Sequence, residues 1–228
     1  MKTCFFPLIS TALWRKPAWP DSSTIMRIMG LDEAGRGCVL GPLVVGAFLI
    51  DSDQEAQIRA TGATDSKKLS AKKREALIAP LSAIGTHFLT DISPAEIDRE
   101  NINLLEEQAF AELILKGRPD RVIIDAPCHP RGIPAFIERL VARVGYRPQL
   151  IVEPKADLNY PACSAASIFA KVHRDAQIHA LGNVGSGYPS DPVTRAWLTG
   201  FIERDEAFPA CVRTRWGTIQ NLKQGRLV

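Results

Sequence analysis

The chain has 228 residues, 46% of them hydrophobic and 23% charged, with a formal net charge of +3; that suits one sizeable core, excludes a disordered or fibrous class, and permits an anionic partner without demanding one. No stretch approaches the ~18–20 consecutive apolar residues of a membrane span, so no membrane contact is expected. The five cysteines (Cys4, Cys38, Cys128, Cys163, Cys211) are odd in number and form no CxxC pair, which argues against a disulfide framework or cysteine-rich zinc module and suits reduced thiols in a cytoplasmic protein.

Residues 1–25 loosely imitate a signal peptide, with Lys2 before a short apolar run. Pro7 interrupts the run and no small-residue cleavage site precedes Trp14, so the segment is read as a disordered tail or an over-long start assignment. Apolar runs at 26–33 and 41–50 predict two strands flanking the turn Gly35-Arg36-Gly37, and the short connection predicts an antiparallel pair. A helix follows from about Ser70, then a strand at 85–92. Ser93-Pro94-Ala95-Glu96 carries a capping-box signature, and Asn103 with Glu106 repeats the form at the start of a helix to about Lys116. Strands at 120–125 and 149–153 bracket the amphipathic helix "IPAFIERLVARV". Pro161 opens a long helix whose first half is small and apolar, suited to lying close against a sheet, and Asp191-Pro192 opens another. The alternation is α/β: a mixed sheet flanked by helices, ending in a helical segment.

Acids gather where these strands end. Asp32 and Glu33 close the first strand, Asp125 closes "RVIID", and Glu153 and Asp157 follow the fifth strand. Carboxylates from separate segments at one sheet edge would suit Mg²⁺ or Mn²⁺, and two such ions could hold the attacking water and the leaving oxygen of a phosphodiester. Neighbouring strand residues face opposite sides, so Asp32 and Glu33 share one site only if the chain bends there, and Gly35 and Gly37 make a bend available. The Gly-Arg-Gly turn would let backbone amides and a guanidinium approach a nucleic-acid backbone, and Tyr188, among glycines, could stack on a sugar or base. Basic residues concentrate in 65–74 and in 211–228, the latter holding Arg213, Arg215, Lys223 and Arg226 without an acid. The four histidines show no metal spacing.

The motifs "GLDEAGRG", "DSKKLS", "PAEID", "VIIDA", "KADLNYPACSAASIFAKVHRD" and "GSGYPSDP" stand in order along residues 26–218. Together they resemble ribonuclease HII, the type 2 ribonucleases H, most like the archaeal–eukaryotic branch. The resemblance implies an RNase H-like catalytic domain over 26–180 and a helical substrate-binding segment over 181–228. It implies endonucleolytic cleavage of RNA in RNA–DNA hybrids and on the 5′ side of single ribonucleotides in duplex DNA. Two divalent ions, Mg²⁺ or Mn²⁺, would be held by Asp32, Glu33, Asp125 and Asp157, with Asp175 and Glu153 as weaker competitors for the fourth place. Gly35, Arg36 and Gly37 would sense the 2′-OH, and Tyr188 would pack at the RNA–DNA junction. Ser66, Lys67 and Lys68 would contact phosphate, with Ser164 a further contact and the basic C-terminus extending the track.

Two departures from the family pattern stand out. Cys38 occupies a usual proline position, which would loosen the turn, and Ala162-Cys163 replaces larger aliphatics. No sliding-clamp peptide is evident, because the paired aromatics of such a peptide are missing, and a monomer is expected. The alternative to an enzyme is a catalytically silent hybrid-binding subunit, which intact carboxylates at all four positions argue against. A third reading, a metal nuclease acting on DNA junctions, explains the acids but not the Gly-Arg-Gly turn and tyrosine.

Overall fold

The structure, a computed structural model, describes residues 25–64 and 66–225. The N-terminal extension up to residue 24, Asp65 of the basic turn and Arg226 lie outside the described residues. Five strands, β1 (Arg27–Ala34), β2 (Leu43–Asp51), β3 (Thr86–Ile92), β4 (Arg121–Asp125) and β5 (Gln149–Glu153), form one sheet in the order β3-β2-β1-β4-β5. β1 pairs antiparallel with β2, as its short connection predicts, and β2 pairs antiparallel with β3. β4 pairs parallel with both β1 and β5, so the C-terminal ends of β1, β4 and β5 share one edge.

The helices in chain order are α1 (Glu55–Ala60), α2 (Ala71–Ile84), α3 (Pro94–Arg99), α4 (Ile102–Gly117), α5 (Ile133–Val144), α6 (Ala156–Asn159), α7 (Pro161–Ala180), α8 (Pro192–Glu203) and α9 (Gly217–Lys223). The helix starts follow their caps. Ser70 Oγ accepts from Lys73 N, Ser93 and Glu96 complete a reciprocal capping box, and Asp191 accepts from Val193 N. One start is corrected. Asn101, not Asn103, caps α4, taking the Asn103 amide at 2.9 Å on its own side-chain oxygen. The Asn103 side chain is thereby left for another partner, described below.

The central strand β1 is buried on both faces, and its alternation sorts the core. Met29 and Leu31 face a core shared with Phe110, Ile114, Phe136 and Leu140 of α4 and α5. Ile28 faces the other core, with Phe48, Ile123 and the small residues Ala162, Cys163, Ala165 and Ala166 of α7. Glycines set the depth of that second contact. A Cβ on Gly30 would lie 2.1 Å from the Ala162 carbonyl carbon, and one on Gly46 would lie 2.7 Å from the Ala166 oxygen. Backbone cannot yield to such overlap, so α7 rests directly on the sheet because both sides are stripped of bulk. The Ala162-Cys163 departure is part of this seat: the Cys163 thiol donates to the Leu31 carbonyl at 3.1 Å.

Beyond Ala180 the chain builds a third, smaller core of Val184, Leu198, Val212 and Ile219 around Val39, Leu40 and Ile178. Its anchor is the segment just after the Gly-Arg-Gly turn: Leu40 bridges to Val212, and Gly41 N donates to Cys211 O at 2.8 Å. Residues 181–225 are therefore packed against the turn that the sequence marks as functional.

Candidate metal centre

The parallel register of β1 and β4 pairs Gly30 with Ile123 and Leu31 with Ile124. One step further come Asp32 and Asp125, both on the face covered by α7. After β5 the chain turns through Lys155, at φ 62°, into the short helix α6. Asp125 Oδ1 accepts from Lys155 N at 2.5 Å and from Ala156 N at 3.2 Å, so the start of α6 hangs on the end of β4. That capping swings Asp157 back over the sheet edge. Asp32, Asp125 and Asp157 each offer an oxygen, and these atoms lie within 4.8 Å of one another.

Asp32 and Asp157 are each only 6% exposed. Burial, then the charge of Glu33, then that of Asp125 push the Asp32 carboxyl well above its usual range, while the nearby Ser167 hydroxyl opposes the rise. Glu33 is pushed up by burial and held back chiefly by Arg36, with Lys67 a further opposing charge. Buried acids of one sign packed together call for a cation, and an all-oxygen donor set suits a hard divalent ion. The residues present therefore fit Mg²⁺ or Mn²⁺.

Glu33 lies beside that oxygen cluster without joining its 4.8 Å set. β1 stays paired through Ala34 opposite Val44, so the bend after the strand comes only at the following turn. Glu33 donates its amide to Asp32 Oδ1 at 2.8 Å, and its carboxyl is close to Asp32 and Asp125 on one side and to Arg36 and Lys67 on the other. The competitors are otherwise engaged. Glu153 accepts from Asn159 Nδ2 at 3.1 Å, and Asp175 is an ion-pair residue within α7, held by Lys171 at 2.7 Å, Arg174 at 3.2 Å and Arg74 at 3.3 Å.

The Gly-Arg-Gly turn is closed by Cys38 N donating to Gly35 O at 3.2 Å. A proline could not make that bond, so the departure at Cys38 tightens the turn rather than loosening it. Gly35 has φ 87°, and a Cβ there would lie 2.7 Å from the Pro42 oxygen, whereas a Cβ on Gly37 would meet nothing within 4 Å. Arg36 is fixed at both its ends: its guanidinium donates to Glu106 and Asn103, and its carbonyl accepts from Arg213 Nη1 at 3.0 Å. Arg213 also donates to Gly35 O at 2.7 Å and Gly41 O at 3.0 Å, and burial lowers its pKa to about 10. The expectation that Arg213 adds to an exposed basic track is corrected: it is fully buried under the turn. Arg215 reaches the Asp98 carbonyl at 2.8 Å.

Tyr188 is 37% exposed and sits next to this turn. The carbonyl of Gly187 accepts from Val39 N at 2.8 Å and Leu40 N at 3.2 Å, stapling the tyrosine loop to the chain that leaves the turn. Its ring lies 5.4 Å from the Arg174 guanidinium and 5.8 Å from Lys171 Nζ. Burial, with Cys38 beside the hydroxyl, pushes the phenol up to about 12. Asp191 pins the loop by accepting from Ser186 N at 2.5 Å, and these bonds hold its carboxyl down at about 2.

Ser66 opens a turn over Ser66–Lys68 in which Lys67 and Lys68 are exposed and Ser66 is buried against Ser167. Ser164 is 2% exposed at the start of α7, with its hydroxyl unpartnered. Arg174 and Ser167 escaped the sequence reading, and so did the buried pairings of Glu106 and Arg213. Each is buried and bonds a segment far away in the chain, and such pairings leave no local signal.

The sequence profile of the family described as Ribonuclease HII matches residues 29–219. A ribonuclease HII of Thermococcus sibiricus is 40% identical over 208 residues, covering 87% of this chain and 92% of the relative. The crystal structure of the ribonuclease H2 from Pyrococcus horikoshii superimposes with a TM-score of 0.80 at 38% identity, covering 88% of this chain and 98% of that one. The ribonuclease HII of Archaeoglobus fulgidus, solved in complex with PCNA, gives 0.78 at 40% identity, covering 86% and 97%.

Proposed function

The chain belongs to the ribonuclease HII family, metal-dependent endoribonucleases of RNA–DNA hybrids, and we propose that it cuts both such hybrids and the 5′ side of single ribonucleotides embedded in duplex DNA. The observation that carries the reading is the convergence of Asp32, Asp125 and Asp157 within 4.8 Å beside a glycine turn and a half-exposed tyrosine. Two divalent ions, Mg²⁺ or Mn²⁺, bound there with Glu33 at the flank would activate water against phosphorus and stabilise the departing 3′-oxygen. Water adds to phosphorus, the P–O3′ bond breaks, and the leaving oxygen takes a proton, giving a 3′-OH and a 5′-phosphate. Asp125 has a double part in this reading, as a ligand and as the cap that aims Asp157.

The turn supplies discrimination. A 2′-OH is the local difference between RNA and DNA. Gly37, with open space where a Cβ would stand, lets the backbone meet that sugar, while Arg213 and Cys38 hold the turn in shape. Tyr188 packs on the following deoxyribose, and Lys67 and Lys68 receive phosphate. Residues 181–225 act as the support that couples the turn to Tyr188. An RNA–DNA duplex is the partner this face fits, to a monomer of the chain. The complex of the Archaeoglobus relative adds a sliding clamp as a candidate partner, one for which the sequence over 211–228 offers no paired aromatics.

The test is an end-labelled DNA duplex with one ribonucleotide, incubated with Mg²⁺ or Mn²⁺ beside all-DNA and EDTA controls. A single metal-dependent cut 5′ of the ribose is expected, and Asp125→Asn should abolish it while sparing duplex binding. Cleavage retained by Asp125→Asn would refute its role, and binding without any cut by the wild type would favour the silent subunit.

A further inference from the structure

Buried polar groups continue beyond the carboxylates. Ser167, on α7, has its oxygen 2.9 Å from Ser66 Oγ, and the two serines are 4% and 3% exposed. Either hydroxyl can donate across this contact, which joins the turn to the helix. On its other side the Ser66 carbonyl accepts from Arg74 Nη1 at 2.9 Å, and Arg74 Nη2 reaches Asp175 at 3.3 Å. Lys171 also bonds Asp175, so Ser167, Lys171 and Asp175 follow one another at four-residue spacing along one face of α7. The turn bearing Lys67 and Lys68 is thus clamped to α7 at two points about 12 Å apart along the helix. The helix that carries both points rests directly on β1, the strand of the proposed ligand Asp32.

We propose that Ser167 is a positioning residue whose hydroxyl ties the turn Ser66–Lys68 to α7, the helix seated on the Asp32 strand, so that the two lysines stand in register with the metal centre. The proposal rests on the reading of Lys67 and Lys68 as phosphate contacts. A serine that only fills space would, on truncation, cost stability and leave duplex binding by the folded protein alone. A positioning serine must change how many phosphates the lysines engage.

The experiment measures binding of a fluorescent RNA–DNA hybrid by anisotropy, in Ca²⁺ and in EDTA, over a range of salt. The variants are Ser167→Ala, Ser66→Ala, their double, and Lys67→Ala/Lys68→Ala, each first shown to be folded by its melting curve. Each single serine variant should weaken binding in Ca²⁺ by about three- to tenfold, the worth of one hydrogen bond, and the double no further. The slope of log K against log salt should fall by about 1–2 in the serine variants, as in the double lysine variant. Full binding by Ser167→Ala alongside weakened binding by the lysine variant would overturn the positioning role and keep the lysine reading. Full binding by both would overturn both, as would serine effects without any lysine effect. Serine losses that multiply in the double variant would also overturn it, since two independent sites have no shared chain.

Discussion

Replacing Asp32 by asparagine should make the metal-free protein more stable while destroying its response to metal. The cluster oxygens lie within 4.8 Å of one another, so at an effective dielectric of 20 each ionised pair repels by about 3 kcal/mol. Asp32 faces two such neighbours in the cluster, and Glu33 beside it adds to the repulsion. The folded protein escapes part of this by taking up a proton, which for an ordinary carboxyl at pH 7 costs about 4 kcal/mol and so caps the penalty. Asparagine keeps the shape and can still accept from Glu33 N, bonded at 2.8 Å in the wild type, but loses the charge that strengthens that bond, about 1 kcal/mol. The net gain is about 1–3 kcal/mol, or about 2–10 °C in Tm for a chain of this size. The sign with pH follows from the raised Asp32 carboxyl. A group that binds protons more tightly folded than unfolded favours folding most at low pH and loses that contribution as pH rises from about 4 through its raised value. The advantage of the variant should therefore shrink from pH 7.5 to pH 5. Calorimetry or dye-monitored melting in EDTA reads all of this. In millimolar Mg²⁺ the wild type should rise and the variant should not, because binding to the folded state alone stabilises it. An Asp32→Asn protein that melts at or below the wild type in EDTA at pH 7.5, or rises equally with Mg²⁺, would refute the account of a repelling, cation-seeking cluster.

The two glycines of the turn should separate stability from function. Gly35→Ala forces a side chain onto φ 87° and against the Pro42 oxygen, and should lower Tm by several degrees. Gly37→Ala meets nothing in the protein, so Tm should hold within about 1 °C while cleavage at a single ribonucleotide falls at least about tenfold, a loss of roughly 1.4 kcal/mol in kcat/KM. Tyr188→Ala should lose the preference for a single embedded ribonucleotide more than it loses cleavage of a long hybrid, measured as the ratio of the two kcat/KM values. Equal losses on both substrates would remove Tyr188 from junction recognition.

Most of the sheet and its helices could be read from the sequence because local rules governed them. Ser70, Ser93 and Asp191 announce helix starts by their own side chains, and the structure uses all three as caps. The small residues of α7 announced close packing, and Gly30 and Gly46 receive it. Asn103 misled because it carries the Asn-x-x-Glu form, while Asn101, two residues earlier and followed at the third place by Leu104, is the residue that caps the helix. Arg36 explains where the Asn103 oxygen went. α6 could not be read at all: it is a four-residue helix whose cap, Asp125, lies 30 residues away. Arg213 was misplaced for the same reason. Its three acceptors are carbonyls of the turn, and no composition rule distinguishes such an arginine from one on a solvated face.

The adjacent acids Asp32 and Glu33 are the instructive case. Adjacency in a strand turns side chains to opposite faces, and the structure obeys that rule in part: Asp32 joins Asp125 and Asp157, while Glu33, still close enough to feel Asp32 and Asp125, also meets the charges of Arg36 and Lys67. The arrangement places acids at the centre and basic groups at the rim. A phosphate drawn in by the rim meets repulsion at the centre until divalent charge is present there, so substrate docking and metal loading are linked by sign alone. An acid removed from the centre should then ease docking while ending catalysis. For that reason Asp125→Asn is expected to bind a hybrid in EDTA at least as tightly as the wild type, the opposite of what loss of an ordinary substrate contact would do.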